Sequence, residues 1–436
     1  MEKNISVGLL GLGTVGSGVV QIVEGHQEEL VHQLGCGVTI KSILVCDVEK
    51  DRDVQVNPAT LTTNPEAVLA DPEIDIIIEV MGGIDEAREH ILRAFKAKKH
   101  VVTANKDLMA LHGPELQYAA KQNGCDLFYE ASVAGGIPII GGIVDGLASD
   151  RIEKVMGIVN GTTNYILTKM DDEGVAYEDA LKEAQELGFA EADPTGDVGG
   201  LDAARKMAIL ARLAFSTSVD LADVEVDGID GLALEDLQFG RQLGLKMKLI
   251  GFADFQDKQI EVSVQPTFLP ENHPLAAVKN EYNAVYVNGK AVGETMFYGP
   301  GAGSLPTATA VMSDVTAVIK NMLLGVTGQQ VVTPRYDKVL KSPEQRFGQY
   351  YFRIHVQDRS GTFTEISSLF NELDISFERI LQDPIKNDKE NGLAEVIVVT
   401  HQTTLEKINQ ALEKLAKVDV VEEVKSYFRI EGGYDQ

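Results

Sequence analysis

The residues best suited to chemistry are an aspartate and a lysine four positions apart, Asp202 and Lys206. The spacing of apolar residues predicts a helix over Leu201–Phe215, so both side chains should share one helical face. A lysine held beside a carboxylate can donate a proton to an oxygen atom, or stabilise negative charge that develops on it. Lys106, which follows a predicted strand, competes for the same role. On most helices this Asp-Lys spacing forms only a surface salt bridge, and that alternative stays open.

A glycine-rich segment near the amino terminus lies where a predicted strand meets a predicted helix, and it reads Gly11, Leu12, Gly13, Thr14, Val15 and Gly16. In such a turn the first glycine permits the bend, the second lets backbone amides approach a pyrophosphate, and the third lets the helix pack on the strand. The anion would lie at the amino terminus of the helix. We interpret these residues as a dinucleotide-binding loop, and the alternative is a glycine-rich turn without a ligand.

The type of dinucleotide depends on residues after the second predicted strand. Asp47 occupies about the position from which a carboxylate accepts hydrogen bonds from ribose hydroxyls, which favours NAD. Lys50 and Arg52 follow closely, and either cation could meet the ribose phosphate of NADP. Both could equally be solvated loop charges. NAD and NADP therefore both remain possible.

Two further segments concentrate polar residues suited to a small charged substrate. Gly161, Thr162 and Thr163 follow a predicted strand, and their amides and hydroxyls suit a carboxylate or a hydroxyl group. Threonine is also an ordinary residue at helix amino termini, so capping is the simpler explanation. Glycine and proline punctuate the loop that can present Glu191, and Asp197 follows as a second carboxylate or as a helix cap.

Taken in order, these segments resemble the substrate half of homoserine dehydrogenase, and the resemblance covers essentially residues 1–330. It implies a reversible, NAD(P)H-dependent reduction of L-aspartate 4-semialdehyde to L-homoserine, in the branch leading to threonine, methionine and isoleucine. Both compounds carry an ammonium group, which the resemblance assigns to Glu191. It also assigns Asp202 to the substrate or to the orientation of Lys206, and Lys206 to proton transfer.

Two other sets of residues are assigned on the resemblance. Lys106 and Gly303 are placed on the cofactor side. A second set resembles the family's loop for a monovalent cation, in which one carboxylate and several backbone carbonyls bind the ion, and it comprises Glu130, Val133, Gly135 and Ile137. Hard cations choose oxygen ligands, so Na⁺ or K⁺ is reasonable there. The eight histidines form no metal-binding array, and no transition-metal site is predicted.

The elements that must position these residues alternate regularly in the first third of the chain. Strands that alternate with helices indicate parallel pairing, so we predict an α/β fold with a Rossmann-type doubly wound sheet. This dinucleotide-binding domain is placed at residues 1–150, completed by a helix around 306–325. Beyond residue 150 the regular interleaving stops, which predicts an α+β domain over 151–305 for substrate and, by the resemblance, for dimerisation.

The last part of the chain has a different organisation. Residues 326–349 are polar and proline-bearing, which is typical of a linker. The predicted order βαββαβ over 350–436 is ferredoxin-like and resembles an ACT domain, a small-molecule sensor common on amino-acid biosynthetic enzymes. Threonine is the expected effector because an end product would report flux. The turn at 358–363 departs from the usual ACT pattern, so effector binding could be altered or absent. By resemblance we expect a homodimer or a homotetramer.

Composition excludes several classes of partner. The formal net charge of -27 repels nucleic acid and anionic lipid, so neither is expected. The apolar runs are too short for a membrane-spanning helix. The 3 cysteines suggest neither a disulfide framework nor a zinc knuckle, and no signal peptide is recognised, so we expect a cytoplasmic protein.

Two other functions agree less well with the residues. A phosphorylating semialdehyde dehydrogenase needs a cysteine nucleophile in a substrate loop, whereas Cys125 begins a predicted core strand. A non-catalytic sensor of nucleotides and amino acids would not need the lysine and acidic motif. The dehydrogenase interpretation is therefore preferred.

Overall fold

The computed structural model describes residues 4–52, 54–329, 332–385 and 392–432. Among them the strands are, in chain order, β1 (Asn4–Leu10), β2 (Gly37–Leu44), β3 (Leu61–Thr62), β4 (Ile76–Glu79), β5 (His100–Thr103), β6 (Leu127–Phe128), β7 (Ile152–Ile158), β8 (Glu225–Val226), β9 (Leu245–Gln256), β10 (Gln259–Pro270), β11 (Tyr282–Gly289), β12 (Gly293–Pro300), β13 (Phe347–Gln357), β14 (Phe377–Pro384), β15 (Leu393–Thr400), β16 (Thr403–Thr404) and β17 (Val421–Ile430). The helices are α1 (Thr14–Gly25), α2 (Gln27–Leu34), α3 (Glu66–Leu69), α4 (Asp85–Lys96), α5 (Lys106–Asn123), α6 (Ile139–Gly141), α7 (Gly161–Glu173), α8 (Tyr177–Glu186), α9 (Thr195–Val198), α10 (Leu201–Phe215), α11 (Leu234–Gln242), α12 (Ser304–Leu324), α13 (Thr362–Glu372) and α14 (Leu405–Leu415).

The chain divides into two compact units, each built from separate stretches of sequence. The first unit comprises Met1–Gly161, Asp202–Val224 and Glu281–Lys338. Its main sheet has the strand order β3-β2-β1-β4-β5-β6, and every pair of neighbours is parallel. Strand β4 is buried along its whole length, and its first three residues are isoleucines, because both faces of a parallel sheet are covered. The predicted Rossmann-type sheet is confirmed.

Helix α12 lies within the first unit and packs against α1. Its Val311 and Val315 are fully buried in the same core as the strand residue Val7. The helices approach so closely at Gly18 that a Cβ there would lie 2.6 Å from the carbonyl oxygen of Ser304. The Ser304 hydroxyl also donates a hydrogen bond to the carbonyl of Thr14. A segment from late in the chain thus covers the first sheet.

One helix differs from the sequence-based expectation. The sequence predicts a helix from Pro114 to Asn123, which would place the proline in its first turn. Helix α5 instead begins at Lys106 and contains Pro114 in its interior. Proline lacks the N–H that would bond to the carbonyl of Ala110, four residues earlier. Arg212 compensates by donating hydrogen bonds to the carbonyls of Ala110 and Met109.

Three more strands of the first unit form an antiparallel ladder in the order β12-β11-β7. Tyr286 of β11 lies opposite Met156 of β7 and Met296 of β12. Strand β7 ends at Ile158, so the residues that follow it emerge at the end of this ladder.

The second unit comprises Thr162–Leu201, Glu225–Asn280 and Val339–Gln436. Its strands pair in the order β9-β10-β17-β13-β15-β14. The chain from β13 to β17 follows the predicted order βαββαβ, since α13 and α14 separate the strands as expected. The ferredoxin-like arrangement is confirmed. A parallel contact between β10 and β17 continues its sheet, with Thr267 opposite Arg429.

Buried ion pairs tie elements of the second unit together. Arg353 of β13 donates hydrogen bonds to both carboxylate oxygens of Asp236 on α11, at 2.7 and 3.1 Å. Arg429 of β17 contacts Glu261 of β10 and lies 4.3 Å from the ring centre of Phe252. Because both arginines are paired, their burial leaves no isolated charge.

The boundaries predicted for the domains and the linker stay predictions. In the part of the chain that the structure describes, no helix is both long and apolar enough to cross a membrane.

Candidate active site

The carboxylate of Asp202 bridges two lysines in the first unit. Its Oδ2 accepts a hydrogen bond from Lys206 Nζ at 2.7 Å, and its Oδ1 lies 3.1 Å from Lys106 Nζ. Asp202 and Lys206 are buried, at 7% and 9% exposure, whereas the Lys106 side chain is 38% exposed. The surface salt-bridge alternative is therefore wrong, because this cluster is buried at one end and open at the other.

Local structure positions each member of the cluster. Asp202 and Lys206 lie one turn apart on α10, as the helical spacing predicts. Lys106 is the first residue of α5, where the side chain of Asn105 caps the helix by accepting a hydrogen bond from the N–H of Leu108. Because only Ala104 and Asn105 separate Lys106 from the end of β5, it lies at the carboxyl edge of the parallel sheet, where ligands of open α/β sheets bind.

Two residues after β7 complete the cluster. The ammonium of Lys206 donates to the carbonyl of Val159 at 2.6 Å, and Asn160 donates to Asp202 Oδ2 at 2.8 Å. Two of the three N–H groups of Lys206 are thus paired, and among the described residues no acceptor pairs with the third. An ammonium held rigidly with one donor to spare can deliver a hydrogen bond, or a proton, to a substrate oxygen.

The charges of this cluster are coupled. Burial by itself would raise the pKa of Asp202, but the charges of Lys206 and Lys106 and the hydrogen bonds from Lys206 and Asn160 lower it well below its ordinary value. Asp202 is therefore a carboxylate at neutral pH.

The glycine-rich loop joins β1 to α1 in the same unit. Gly11 has φ +99°, and a Cβ there would lie 2.8 Å from the Cα of Met81. A Cβ on Gly16 would lie 2.3 Å from the carbonyl oxygen of Gly11, whereas a Cβ on Gly13 would meet no atom within 4 Å. Gly13 therefore faces open space at the amino terminus of α1, which has no side-chain cap. The residues fit a bound pyrophosphate.

Sequence reasoning missed two residues. Glu79 ends β4 and is fully buried, and its carboxylate accepts hydrogen bonds from Met81 N–H at 2.9 Å and from Thr103 Oγ1 at 2.6 Å. Burial raises the pKa of Glu79, although these hydrogen bonds oppose the shift. A buried acid at the carboxyl end of an apolar strand was the available signal. Asn160 was missed because nothing local indicates its contact with Asp202.

Comparison with known proteins agrees with this geometry. Residues 138–316 match the family model for homoserine dehydrogenase, residues 11–130 match that for the homoserine dehydrogenase NAD binding domain, and residues 350–417 match the ACT domain. A homoserine dehydrogenase of Bacillus subtilis is 60% identical over 430 residues, which cover 99% of each chain. The chain belongs to the homoserine dehydrogenase family.

Solved structures agree with the assignment. The crystal structure of a homoserine dehydrogenase from Thiobacillus denitrificans has a TM-score of 0.91, with 39% identity over 99% of each chain. A hyperthermophilic archaeal homoserine dehydrogenase in complex with NADPH has a TM-score of 0.60 and 26% identity, and the match covers 74% of this chain and 98% of that one. As a member of this family, the protein is an NAD(P)-dependent oxidoreductase.

The residues assigned to the ribose lie in an exposed loop after β2. Asp47 accepts a hydrogen bond from the N–H of Glu49 at 2.9 Å. The guanidinium of Arg52 donates to the carbonyls of Asp47 and Lys50, which holds it beside the aspartate. Both Asp47 and Lys50 are exposed, so their side chains are accessible to a ligand.

Most substrate residues expected in a homoserine dehydrogenase lie in the second unit. Thr162 Oγ1 donates to the carbonyl of Phe189 at 2.6 Å and lies 3.5 Å from Asp197 Oδ2. Thr163 is buried, whereas Glu191 is exposed. The structure thus brings Thr162 and Asp197 together.

Two glycines assigned to the site belong to the first unit, where each occupies a position that only glycine suits. A Cβ on Gly161 would lie 2.6 Å from the carbonyl oxygen of Glu281. Gly303 has φ +114° and precedes α12.

The loop expected to hold a monovalent cation is buried. Both carboxylate oxygens of Glu130 accept backbone N–H groups, from Ile140 and Gly141, each at 2.7 Å. The carbonyl of Ile137 accepts the N–H of Ile139. For the carbonyls of Val133 and Gly135, by contrast, the described residues supply no donor. These carbonyl oxygens suit a monovalent cation.

Other metals and nucleophiles find no support in the described residues. No group of three or more His, Cys, Asp or Glu side chains there is arranged to hold a metal ion. Cys125 is buried, and burial raises the pKa of its thiol to about 11, so it does not supply a thiolate nucleophile at neutral pH.

Proposed function

We propose that the protein catalyses the reversible, NAD(P)H-dependent reduction of L-aspartate 4-semialdehyde to L-homoserine, with Lys206 as the proton donor. The observation that carries the proposal is the buried ammonium of Lys206, which is paired with Asp202 and Val159 and keeps one N–H for a substrate oxygen. An aldehyde that becomes an alcohol gains a proton on its oxygen, and this donor meets that need.

When bound, the nicotinamide cofactor supplies the hydride that adds to the aldehyde carbon. Lys206 transfers its proton to the oxygen on which negative charge develops, and in the reverse direction it accepts the proton of the alcohol. Asp202 stays ionised throughout, because its pKa is lowered by the two lysines. Lys106 supplies a second positive charge beside the same carboxylate.

Substrate and cofactor contacts follow the family assignment. Glu191 binds the substrate ammonium, and Gly161, Thr162, Thr163 and Asp197 bind or orient its polar groups. Residues 11–16 cradle the pyrophosphate, and Lys106 and Gly303 lie on the cofactor side. Glu79 is a positioning residue that holds the turn at Met81.

Use of both NADP and NAD is part of the proposal. Asp47 suits the free ribose hydroxyls of NAD, and the cations Lys50 and Arg52 suit the phosphate of NADP. An archaeal relative has been solved in complex with NADPH. Arg52→Gln should raise the KM for NADPH more than the KM for NADH if its cation contacts the phosphate.

A monovalent cation, Na⁺ or K⁺, is proposed at Glu130 and the carbonyls of Val133, Gly135 and Ile137. It would supply fixed positive charge to this loop. Support comes from the two buried carbonyls without a donor and from the left-handed backbone of Ala134 and Gly135, with φ +55° and +54°.

The assembly and regulation expected of the family complete the proposal. We infer a homodimer or homotetramer, threonine as the effector of the ACT domain, and a cytoplasmic location. The threonine proposal fails if activity is the same across a wide range of threonine concentrations.

The decisive experiment measures NADH and NADPH oxidation with L-aspartate 4-semialdehyde and identifies the product. Homoserine should form in proportion to oxidised cofactor. Cofactor binding without homoserine formation would instead favour the non-catalytic sensor.

A further inference from the structure

A cavity of about 370 Å³ lies within the first unit, lined in part by strand β6 and helix α12. Its size falls within the range of roughly 300–1,000 Å³ that is typical of small-molecule sites. Apolar side chains form much of its wall, among them Phe128, Val144 and Leu213. The cavity therefore suits a ligand with an apolar body.

The ionisable side chains of this wall are all acids. Glu130, Asp145 and Asp314 all line the cavity, as does the phenol of Tyr129. Lysine, arginine and histidine are missing from the described residues that line it. A carboxylate ligand would be repelled, and a cation would be attracted.

Asp314 has one carboxylate oxygen that accepts a hydrogen bond and one that does not. It is 6% exposed, and its Oδ2 accepts a hydrogen bond from the N–H of Glu130 at 2.8 Å. No donor among the described residues reaches its Oδ1. Glu130 differs, because each of its carboxylate oxygens already accepts a backbone N–H. Because Asp314 lines the cavity, this oxygen is available to a donor that a ligand brings.

We propose that this cavity binds a small organic cation, a primary ammonium with an apolar body, whose ammonium donates to Oδ1 of Asp314. A neutral alcohol would fill the volume without meeting the charge.

The test is isothermal titration calorimetry of the full-length protein with benzylammonium, its neutral isostere benzyl alcohol, and phenylacetate. Benzylammonium should bind about tenfold or more tightly than benzyl alcohol, because it adds a charge-assisted hydrogen bond. Phenylacetate should not bind.

Variants of the cavity distinguish the contribution of the Asp314 charge from that of the cavity volume. Asp314→Asn keeps an acceptor for the N–H of Glu130, and it should weaken benzylammonium about tenfold or more while leaving benzyl alcohol unchanged. Ala317→Phe, one turn along α12, should fill the cavity and weaken both ligands. Asp145→Asn, in the exposed part of the wall, should change neither by more than about twofold. Circular dichroism and melting temperature confirm that each variant is folded.

Equal affinity for benzylammonium and benzyl alcohol would overturn the proposal, as would tight benzylammonium binding to the folded Asp314→Asn protein. So would loss of binding in Glu191→Gln, because Glu191 is the residue proposed for the substrate ammonium. Binding is measured without turnover, so this proposal can fail while the proposed catalytic function stands.

Discussion

At the scale of single residues, the reactivity of the candidate site depends on a carboxylate shared by two lysines. A buried lysine alone would lose its proton easily, because burial disfavours its charge. The carboxylate of Asp202 accepts a hydrogen bond from the Lys206 ammonium at 2.7 Å, so the buried cation has a charge partner beside the position proposed for the substrate oxygen. The more exposed Lys106, at 3.1 Å from the same carboxylate, adds charge at the open end.

Replacing Lys206 by methionine should remove the proton donor while preserving most of the buried volume. We expect kcat to fall by roughly 10² to 10⁴-fold, the usual contribution of a positioned acid, with little change in the KM for cofactor. Steady-state kinetics in both directions measure this. Lys279→Met, at an exposed lysine paired with Asp172, is the matched control and should retain full activity. A Lys206→Met enzyme with near-normal kcat would assign the proton to another group, with Lys106 the first to examine.

Asp202→Asn should change the pH dependence of stability. The pKa of Asp202 is lowered in the folded state, so its charge stabilises the fold above the ordinary aspartate pKa of about 4, and this stabilisation is lost as the pH falls toward the folded pKa. Breaking the buried pair should cost roughly 3–5 kcal/mol at neutral pH. Urea unfolding over a pH series should show this difference shrinking below about pH 4.

The control for Asp202 is Asp419→Asn, at an exposed aspartate. It should shift stability by less than about 0.5 kcal/mol at every pH. A constant difference between wild type and Asp202→Asn down to pH 2 would contradict the assignment of a lowered pKa.

At the scale of elements, two glycines where the glycine-rich loop meets α1 should have different roles. Gly16 is needed for folding, and Gly13 is needed for cofactor binding. Gly16→Ala places a Cβ 2.3 Å from the carbonyl of Gly11, so it should lower the melting temperature. Gly13→Ala places its Cβ in open space, at φ -91° that alanine tolerates, so stability should be unchanged. Because that space is where the pyrophosphate is expected, Gly13→Ala should raise the KM for NAD(P)H. If Gly13→Ala leaves cofactor binding unaltered, the pyrophosphate lies elsewhere.

The interior proline of α5 allows a double-mutant cycle. Arg212→Met removes the donors to the carbonyls of Met109 and Ala110 and should destabilise the protein. In a Pro114→Ala background the helix regains its own N–H donor to the carbonyl of Ala110. Arg212→Met should then lower the free energy of unfolding by about 1 kcal/mol less than it does in the wild-type background. Chemical denaturation measures both differences, and equal costs in the two backgrounds would show that Arg212 does not compensate for the proline.

Periodic patterns predicted much of the fold and part of the site. The strand-helix alternation predicted the parallel sheet, and the i, i+4 spacing correctly put Asp202 and Lys206 on one face. Contacts between distant residues were not predictable in this way. Lys106 and Asp202 meet only because α5 and α10 pack together, and the start of α5 was misplaced because the compensation by Arg212 is not local.

At the scale of the whole molecule, the carboxyl-terminal ferredoxin-like region continues a sheet of the second unit. Phe268 of β10 is fully buried, with its ring centre 5.0 Å from that of Tyr351 and 5.8 Å from that of Phe428. Glu261 forms an ion pair with Arg429. The pairing of β10 with β17 joins strands far apart in sequence, which no local pattern could predict.

Removal of residues 339–436 should therefore yield an aggregating protein rather than a smaller active enzyme, because it exposes Phe268 and leaves Glu261 unpaired. Size-exclusion chromatography and thermal unfolding of the truncated chain measure this. Adding Phe268→Ser and Glu261→Gln to the truncated chain should recover soluble protein. A truncated chain that is monodisperse and melts at the wild-type temperature would refute this dependence.

The closure of the first sheet by α12 also constrains how the protein is made. The hydrogen bond from Ser304 to Thr14 spans 290 positions, and α12 ends only at Leu324. While the ribosome is still translating the chain, α12 has not yet been made. Part of an apolar face of the amino-terminal strands therefore stays open to water. Contacts between residues so far apart in sequence slow folding, and the exposed apolar surface favours binding by chaperones.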